Sequence, residues 1–237
     1  MRLLQHLKEQ YTDNFQIMKK LDSLPMENIN LFIKQKPFQQ LIKRGMDILL
    51  SLAAIICLSP LLCLIAILIK LDSKGSALFK QERIGYKEKR FNMYKFRSMV
   101  VDAEEQFEKL KAFNETNHIM FKLKNDPRTT RVGKFIRKYN LDELPQLFNI
   151  LKGDMSIVGP RPPLERELVN YEEWHHVKFL KPQGLTGLWQ ISDRSKITNF
   201  DDVIYLDYQY IRNWNLLFDI KIILKTIPVV LCAKGWN

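Results

Sequence analysis

Asp142 and Glu143 are two adjacent carboxylates that follow four basic residues, Arg128, Arg131, Lys134 and Arg137. An anionic spot inside a cationic collar suits a phosphate substrate handled with a metal ion. The carboxylates can hold a divalent cation or attack phosphorus, and guanidinium groups can neutralise phosphoryl oxygens. Further on, Gly159-Pro160-Arg161-Pro162-Pro163 fixes one arginine between prolines. Proline on both sides lowers the entropy of presenting a fork-shaped phosphate ligand, if Arg161 points into the same site. A proline-rich turn with an incidental arginine is the competing reading.

The element that must carry the carboxylates is a short helix over residues 140–153. Asn140 can cap its start and Gly153 can supply the left-handed residue at its end. Leu144, Leu147, Phe148 and Leu151 form its apolar face. This placement gives the pair a structural alternative: Asn140 and Glu143 have capping-box spacing, and acids are favoured in a first helical turn. Upstream, residues 78–99 alternate like a β-hairpin around Gly85-Tyr86-Lys87, and residues 100–113 read as a helix.

Residues 48–69 contain no charge in 22 positions, matching the roughly 20 residues that span a hydrocarbon core. Ser59-Pro60 lies at the middle of this run, where proline removes a helical hydrogen bond. Lys43 and Arg44 precede the run, and Lys70, Lys74 and Lys80 follow it. Positive flanks mark the cytoplasmic side, and here both flanks are positive. A helix that enters, breaks at Ser59-Pro60 and returns to the same face satisfies both, whereas a straight span satisfies one.

Residues 1–24 are not a signal peptide, because mixed charge interrupts them and no compact apolar core follows. Leu4, Leu7, Tyr11, Phe15, Met18 and Leu21 recur every three or four positions, which predicts an amphipathic helix. Such a stripe usually packs on protein; an interfacial membrane helix or a homodimer contact is the alternative. The net charge of +11 attracts polyanions: nucleic acid, anionic lipid headgroups or phosphorylated small molecules. Residues 80–97 hold seven basic and two acidic side chains, and residues 122–138 hold seven and one. Beside a membrane these stretches attract anionic lipids, at about 1 kcal/mol per residue. No recognition-helix or single-strand motif accompanies them, so no nucleic acid is expected as a partner. Cys57, Cys63 and Cys232 form neither a disulfide framework nor, with His175-His176, a zinc site.

The ordered motifs resemble those of the bacterial sugar transferases, monotopic phosphoglycosyl transferases that begin lipid-linked glycan assembly. The resemblance runs from Lys43-Arg44-x-x-Asp47 through Gln81-Glu82-Arg83-Ile84-Gly85 and Tyr94-Lys95-Phe96-Arg97-Ser98-Met99. It continues through Asp126-Pro127-Arg128, Leu141-Asp142-Glu143-Leu144-Pro145-Gln146-Leu147, Gly153-Asp154-Met155-Ser156 and Val158-Gly159-Pro160-Arg161-Pro162. Gly184-Leu185-Thr186-Gly187-Leu188-Trp189-Gln190 and Asp219-Ile220-Lys221 complete it, so it covers about residues 38–231.

The resemblance implies an α+β, mainly helical fold. Its expected parts are a re-entrant membrane helix over residues 38–74, interfacial amphipathic helices, a small β-hairpin, and a cytoplasmic catalytic domain over 75–237 ending in an amphipathic helix. It implies a location at the bacterial inner membrane. The implied reaction moves a sugar 1-phosphate from a UDP-sugar to polyprenyl phosphate, releasing UMP, in exopolysaccharide, capsule or lipopolysaccharide synthesis. Asp142 is then the nucleophile, Glu143 assists, both contact Mg2+ (or Mn2+), and Arg137 and Arg161 bind phosphate. Gln190 and Arg194 are candidates for nucleotide or sugar contacts. The chain departs from the family pattern at Gln183, which intervenes between Pro182 and Gly184, and at Asp193, where glycine is expected. A non-enzymatic membrane adaptor and a conventional glycosyltransferase releasing UDP are the rival readings.

Overall fold

A computed structural model describes residues 36–110, 123, 126–192, 197 and 199–231. The predicted amphipathic stripe of residues 1–24, Arg194 and Cys232 lie outside the described residues. Helix α1 spans Pro37–Asp72, with proline at its first position, where the missing N–H costs nothing. It is long and apolar enough to cross a membrane, and only 11% of its most apolar 18-residue window is buried. The helix continues through Ser59-Pro60 instead of stopping there. Pro60 removes one N–H, while the Ser59 hydroxyl donates to Ile56 O at 2.8 Å and keeps that turn partnered.

The hairpin forms where it was expected. Strands β1 (Leu78–Ile84) and β2 (Arg90–Phe96) pair antiparallel, from Leu78 opposite Phe96 to Ile84 opposite Arg90. The helix expected over 100–113 starts later. Turns occupy 101–106 and helix α2 takes Phe107–Leu110, while 111–113 lie outside the described residues. The segment is held from outside: Val100 N donates to Arg128 O, and Arg128 Nη1 donates to Ala103 O at 3.1 Å.

Helix α3 (Arg131–Lys138) starts at Thr130, whose side chain accepts from Gly133 N. The expected helix over 140–153 divides in two, a 3-10 turn at Leu141–Glu143 and helix α4 at Gln146–Lys152. Asn140 does not cap it. Its φ of 55° is left-handed and its side chain makes no capping bond. Gly153, at φ 94°, does end α4 as expected.

Strand β3 (Ser156–Val158) is followed by the proline-rich loop and helix α5 (Glu165–Leu168). A 3-10 stretch (Glu173–Leu180) then leads to strand β4 (Gly184–Thr186), which pairs parallel with β3. Gly159 is required beside this pair, because a Cβ there would lie 2.2 Å from Pro182 O. Helices α6 (Leu188–Ile191), α7 (Phe200–Asn213) and α8 (Leu216–Leu231) complete the described chain. The fold is thus mainly helical, with small two-stranded sheets and one long apolar helix.

The largest core gathers Val158, Trp174, Ile204, Tyr210, Ile211 and Trp214 around α7. Two smaller clusters fasten α1 to the domain. Ala54 and Ile55 pack on Met93, Leu147, Ile150 and Met155; Ile65 and Ile69 are buried with Phe96 and Ile136.

Candidate active site

The 3-10 turn after the left-handed Asn140 turns Asp142 inward, leaving it 4% exposed. Its Oδ1 is buried and accepts no hydrogen bond. Burial pushes the Asp142 carboxyl up to about 6. The nearby Lys95 ammonium opposes that rise, neighbouring Glu143 reinforces it, and Arg137 opposes it more weakly. A buried carboxylate without a partner is costly unless something binds there, so this atom is the site's most informative feature.

Glu143 instead lines an open cleft, together with Arg83, Lys95, Gln146, Arg161 and Gln190. Lys95 Nζ donates to Glu143 Oε1 at 2.9 Å. Arg161 enters from the proline-rich loop with its guanidinium 5.8 Å from the Trp189 ring centroid, within cation–π range. Arg83 is buried, donates to Pro162 O at 3.0 Å and to Gln81 Oε1 at 2.8 Å, and leaves its Nε unpartnered. Burial, with Arg161 nearby, pulls its guanidinium down to about 9. One acid beside three cations gives the cleft a positive balance suited to an anionic phosphate ester.

A family model for bacterial sugar transferases matches residues 38–233. The chain belongs to the bacterial sugar transferase family. A protein of Streptococcus agalactiae named galactosyl transferase CpsE is 51% identical over 161 residues, covering 68% of this chain and 36% of that protein. An undecaprenyl-phosphate galactose phosphotransferase of Salmonella typhimurium is 44% identical over 205 residues, 84% of this chain and 42% of that one. The exopolysaccharide production protein ExoY of Rhizobium meliloti is 41% identical over 204 residues, 84% of this chain and 90% of that one. The chain therefore spans well under half of the first two relatives and nearly the whole length of the third.

Of the residues that sequence reasoning selected in this sugar transferase, Glu143, Arg161 and Gln190 line one cleft, and Asp142, next to Glu143 in the chain, is buried and does not line it. Arg137 is near Asp142 without lining the cleft. Burial pulls its guanidinium below the usual value, while Asp142 and Asp126 pull the other way. Its Nη1 donates to Thr129 Oγ1 at 3.2 Å. Asp126 in turn is held by a bidentate contact to Arg128, at 2.9 and 2.6 Å. Arg137 thus offsets part of the Asp142 charge without lining the cleft.

Sequence reasoning did not single out Lys95, Arg83 or Gln146. Lys95 and Arg83 lie in motifs that it did mark, Tyr94-Lys95-Phe96-Arg97 and Gln81-Glu82-Arg83, and the hairpin brings both to the cleft. Only Asp142 and Glu143 offer carboxylates at the site, and no group of three metal-ligating side chains occurs among the described residues. Two carboxylates still fit Mg2+, which keeps several waters and shares its coordination with substrate phosphates. The unpartnered Asp142 Oδ1 is the atom that fits such a cation or an electrophile.

Proposed function

We propose that this sugar transferase moves a sugar 1-phosphate from a UDP-sugar to polyprenyl phosphate through a covalent intermediate on Asp142. The observation that carries the reading is the buried, unpartnered Asp142 Oδ1, on the residue next to Glu143, which lines a cationic cleft. The undecaprenyl-phosphate acceptor in the Salmonella relative's name supports a polyprenyl phosphate here.

In the first step an Asp142 carboxylate oxygen attacks the sugar-bearing phosphorus. The bond from that phosphorus to the bridging oxygen breaks, and UMP leaves with the bridging oxygen. A phosphate oxygen of the polyprenyl phosphate then attacks the same phosphorus. The aspartyl–phosphorus bond breaks, which restores the carboxylate and yields the polyprenyl-diphosphate sugar. Splitting the transfer lets a water-soluble donor and a lipid acceptor use one site in turn.

Arg161 and Arg83 screen the donor phosphates, so that an anionic nucleophile can approach an anionic diester. Lys95 favours the ionised, nucleophilic form of Asp142 and orients Glu143. Asp142 and Glu143 would hold a Mg2+ ion, which when bound neutralises charge developing on the phosphoryl oxygens. Glu143 and Lys95 also provide a proton-handling pair beside the reacting carboxylate. Gln190 faces the same cleft and is assigned to the nucleotide or sugar, with Arg194 as the second candidate.

The membrane arrangement is part of the same reading. Near its start, α1 is bound to the domain through Lys43 and Arg44; at its end Asp72 Oδ2 accepts from Val132 N at 2.9 Å. Most of the apolar surface of the helix between these ends stays exposed. A straight span would carry its two ends to opposite sides of a roughly 30 Å core. Attachment of both ends to one polar domain supports a helix that enters, bends about Pro60 without losing its helical backbone and returns, with the catalytic domain on the cytoplasmic face of the inner membrane. Exposed Leu217, Ile220, Leu224 and Ile227 make a stripe along α8 suited to the same interface, where Lys221 and Lys225 meet anionic lipids.

The decisive experiment incubates the full chain in nanodiscs with Mg2+, polyprenyl phosphate and a panel of UDP-sugars. The expected products are UMP and a polyprenyl-diphosphate sugar, with donor alone leaving a sugar-phosphate mass adduct on Asp142. Release of UDP, or transfer without an adduct, overturns the mechanism.

A further inference from the structure

We infer that Lys43 and Asp47 are positioning residues for Arg161, so that the register of the membrane helix on strand β3 sets where the phosphate-binding guanidinium stands. The inference rests on the phosphate role of Arg161 given above. Lys43 and Asp47 are one helical turn apart on α1, and both are buried although they sit next to the apolar run. They engage consecutive residues of β3. Asp47 Oδ1 accepts from Ile157 N at 3.0 Å, and Lys43 Nζ donates to Val158 O at 3.1 Å.

Lys43 is itself held by a buried network. Its Nζ donates to Asp219 Oδ2 at 2.6 Å, and that carboxylate also accepts from Tyr210 OH at 2.9 Å and Trp214 Nε1 at 3.1 Å. An ammonium placed only to mark the water-facing end of a membrane helix would snorkel to solvent and need no such partners. Here the cation is used inside the domain.

The chain leaves β3 directly into Gly159-Pro160-Arg161-Pro162-Pro163, which puts Arg161 three residues beyond the Lys43 contact. The far side of that loop is fixed independently, since Pro162 O accepts from Arg83 Nη1 and Pro163 O accepts from Ile84 N at 3.1 Å. Prolines at 160 and 162 fix φ on both sides of Arg161 and the far side is held by the hairpin, so a shift of β3 must be absorbed around Arg161 and moves its side chain. A misplacement of about 1 Å at a catalytic group can cost about 100-fold in rate.

The test is a double-mutant cycle on the full chain in nanodiscs, with Arg44→Gln as the comparison. Arg44 is on the same helix but donates to Ile150 O and Leu151 O, away from the Arg161 loop. Lys43→Met and Asp47→Ala should each lower kcat/KM about tenfold or more in the wild type and less than about twofold in an Arg161→Lys background. Whatever factor Arg44→Gln costs should be the same in both backgrounds. Asp47→Asn, which keeps an acceptor for the Ile157 N–H, should recover most of the Asp47→Ala loss. Amide hydrogen exchange at residues 157–161 should speed up in Lys43→Met and Asp47→Ala and stay unchanged in Arg44→Gln. Equal losses in both backgrounds, or unchanged exchange at 157–161, overturn the inference. If Lys43→Met fails to insert, the Asp47 pair decides alone. A fully active Arg161→Lys would refute the phosphate role instead, and the exchange measurement would still decide the positioning.

Discussion

Asp142→Asn separates a catalytic carboxylate from a helix-capping one by the sign of its effect on stability. A cap or helix-dipole interaction is worth roughly 0.3–2 kcal/mol, so its loss destabilises. The observed environment demands the opposite. Burial raises the Asp142 carboxyl from 3.8 to about 6, and each pH unit corresponds to about 1.4 kcal/mol, giving about 3 kcal/mol in all. Because the folded pKa is the higher one, the stability tied to this proton is fully present below pH 3.8 and is lost as pH rises to about 6. Above that, the wild type carries a buried charge that asparagine does not. The attraction of Lys95 and Arg137 for the charged form is already contained in that shift. A net gain of about 3 kcal/mol at pH 8 corresponds to a Tm increase of roughly 6–12 °C for a chain of this size. The assay is thermal unfolding in nanodiscs in metal-free buffer at pH 8 and pH 4, beside turnover with Mg2+ restored. The expected variant is more stable than wild type at pH 8, equal to it at pH 4, and at least about 10³-fold slower. An Asp142→Asn protein that is less stable at pH 8 yet active would refute both the burial argument and the nucleophile.

In metal-free buffer the Asp142 carboxyl should titrate around a midpoint near 6, the value to which burial lifts it, as followed by carboxyl infrared difference spectra against Asp142→Asn; a midpoint near 4 would mean the carboxylate is solvated. Lys95→Met should move that midpoint up and Glu143→Gln should move it down, because the ammonium favours the charged form and the neighbouring acid opposes it; shifts of the reverse sign would remove both from the site. Arg161→Lys keeps the charge and loses the bidentate fork, so kcat/KM should drop at least about tenfold, or about 1.4 kcal/mol, with near-normal turnover counting against a phosphate contact. Cysteines placed at exposed Pro37 and Lys74 should both be labelled from the cytoplasmic side alone; labelling of either from the periplasm would exclude the re-entrant arrangement.

What the sequence made legible was local. The hairpin followed from alternation and a glycine turn, and the end of α4 from Gly153, because such signals are decided within a few residues. The Asn140 cap failed for an equally local reason. Asn140 and Glu143 stand at capping-box spacing, but the box requires extended backbone at the first position, and Asn140 is left-handed at φ 55°. Asparagine is one of the few residues that tolerates either geometry, so spacing alone could not choose. The left-handed choice turns Asp142 inward, where burial rather than capping governs its chemistry.

The remaining misreadings concern charges whose partners lie far along the chain. Lys43 looked like a headgroup-facing flank because its neighbours are apolar and its acid, Asp219, is 176 residues away. Arg137, chosen as a phosphate ligand from its place just before the acids, is near Asp142 without lining the cleft, and Lys95 and Arg83 reach the cleft from the hairpin. In each case residue type predicted correctly that a charge mattered, and only the fold determined which anion it meets. The same logic bears on the membrane helix. Charges flanking an apolar run can satisfy themselves in water, in headgroups or on protein, and α1 uses protein at Lys43, Arg44 and Asp72. Anchoring of this kind fixes the helix to the catalytic residues as well as to the bilayer. The transfer proposed above, from a buried carboxylate to a lipid phosphate, needs both attachments to be rigid with respect to each other.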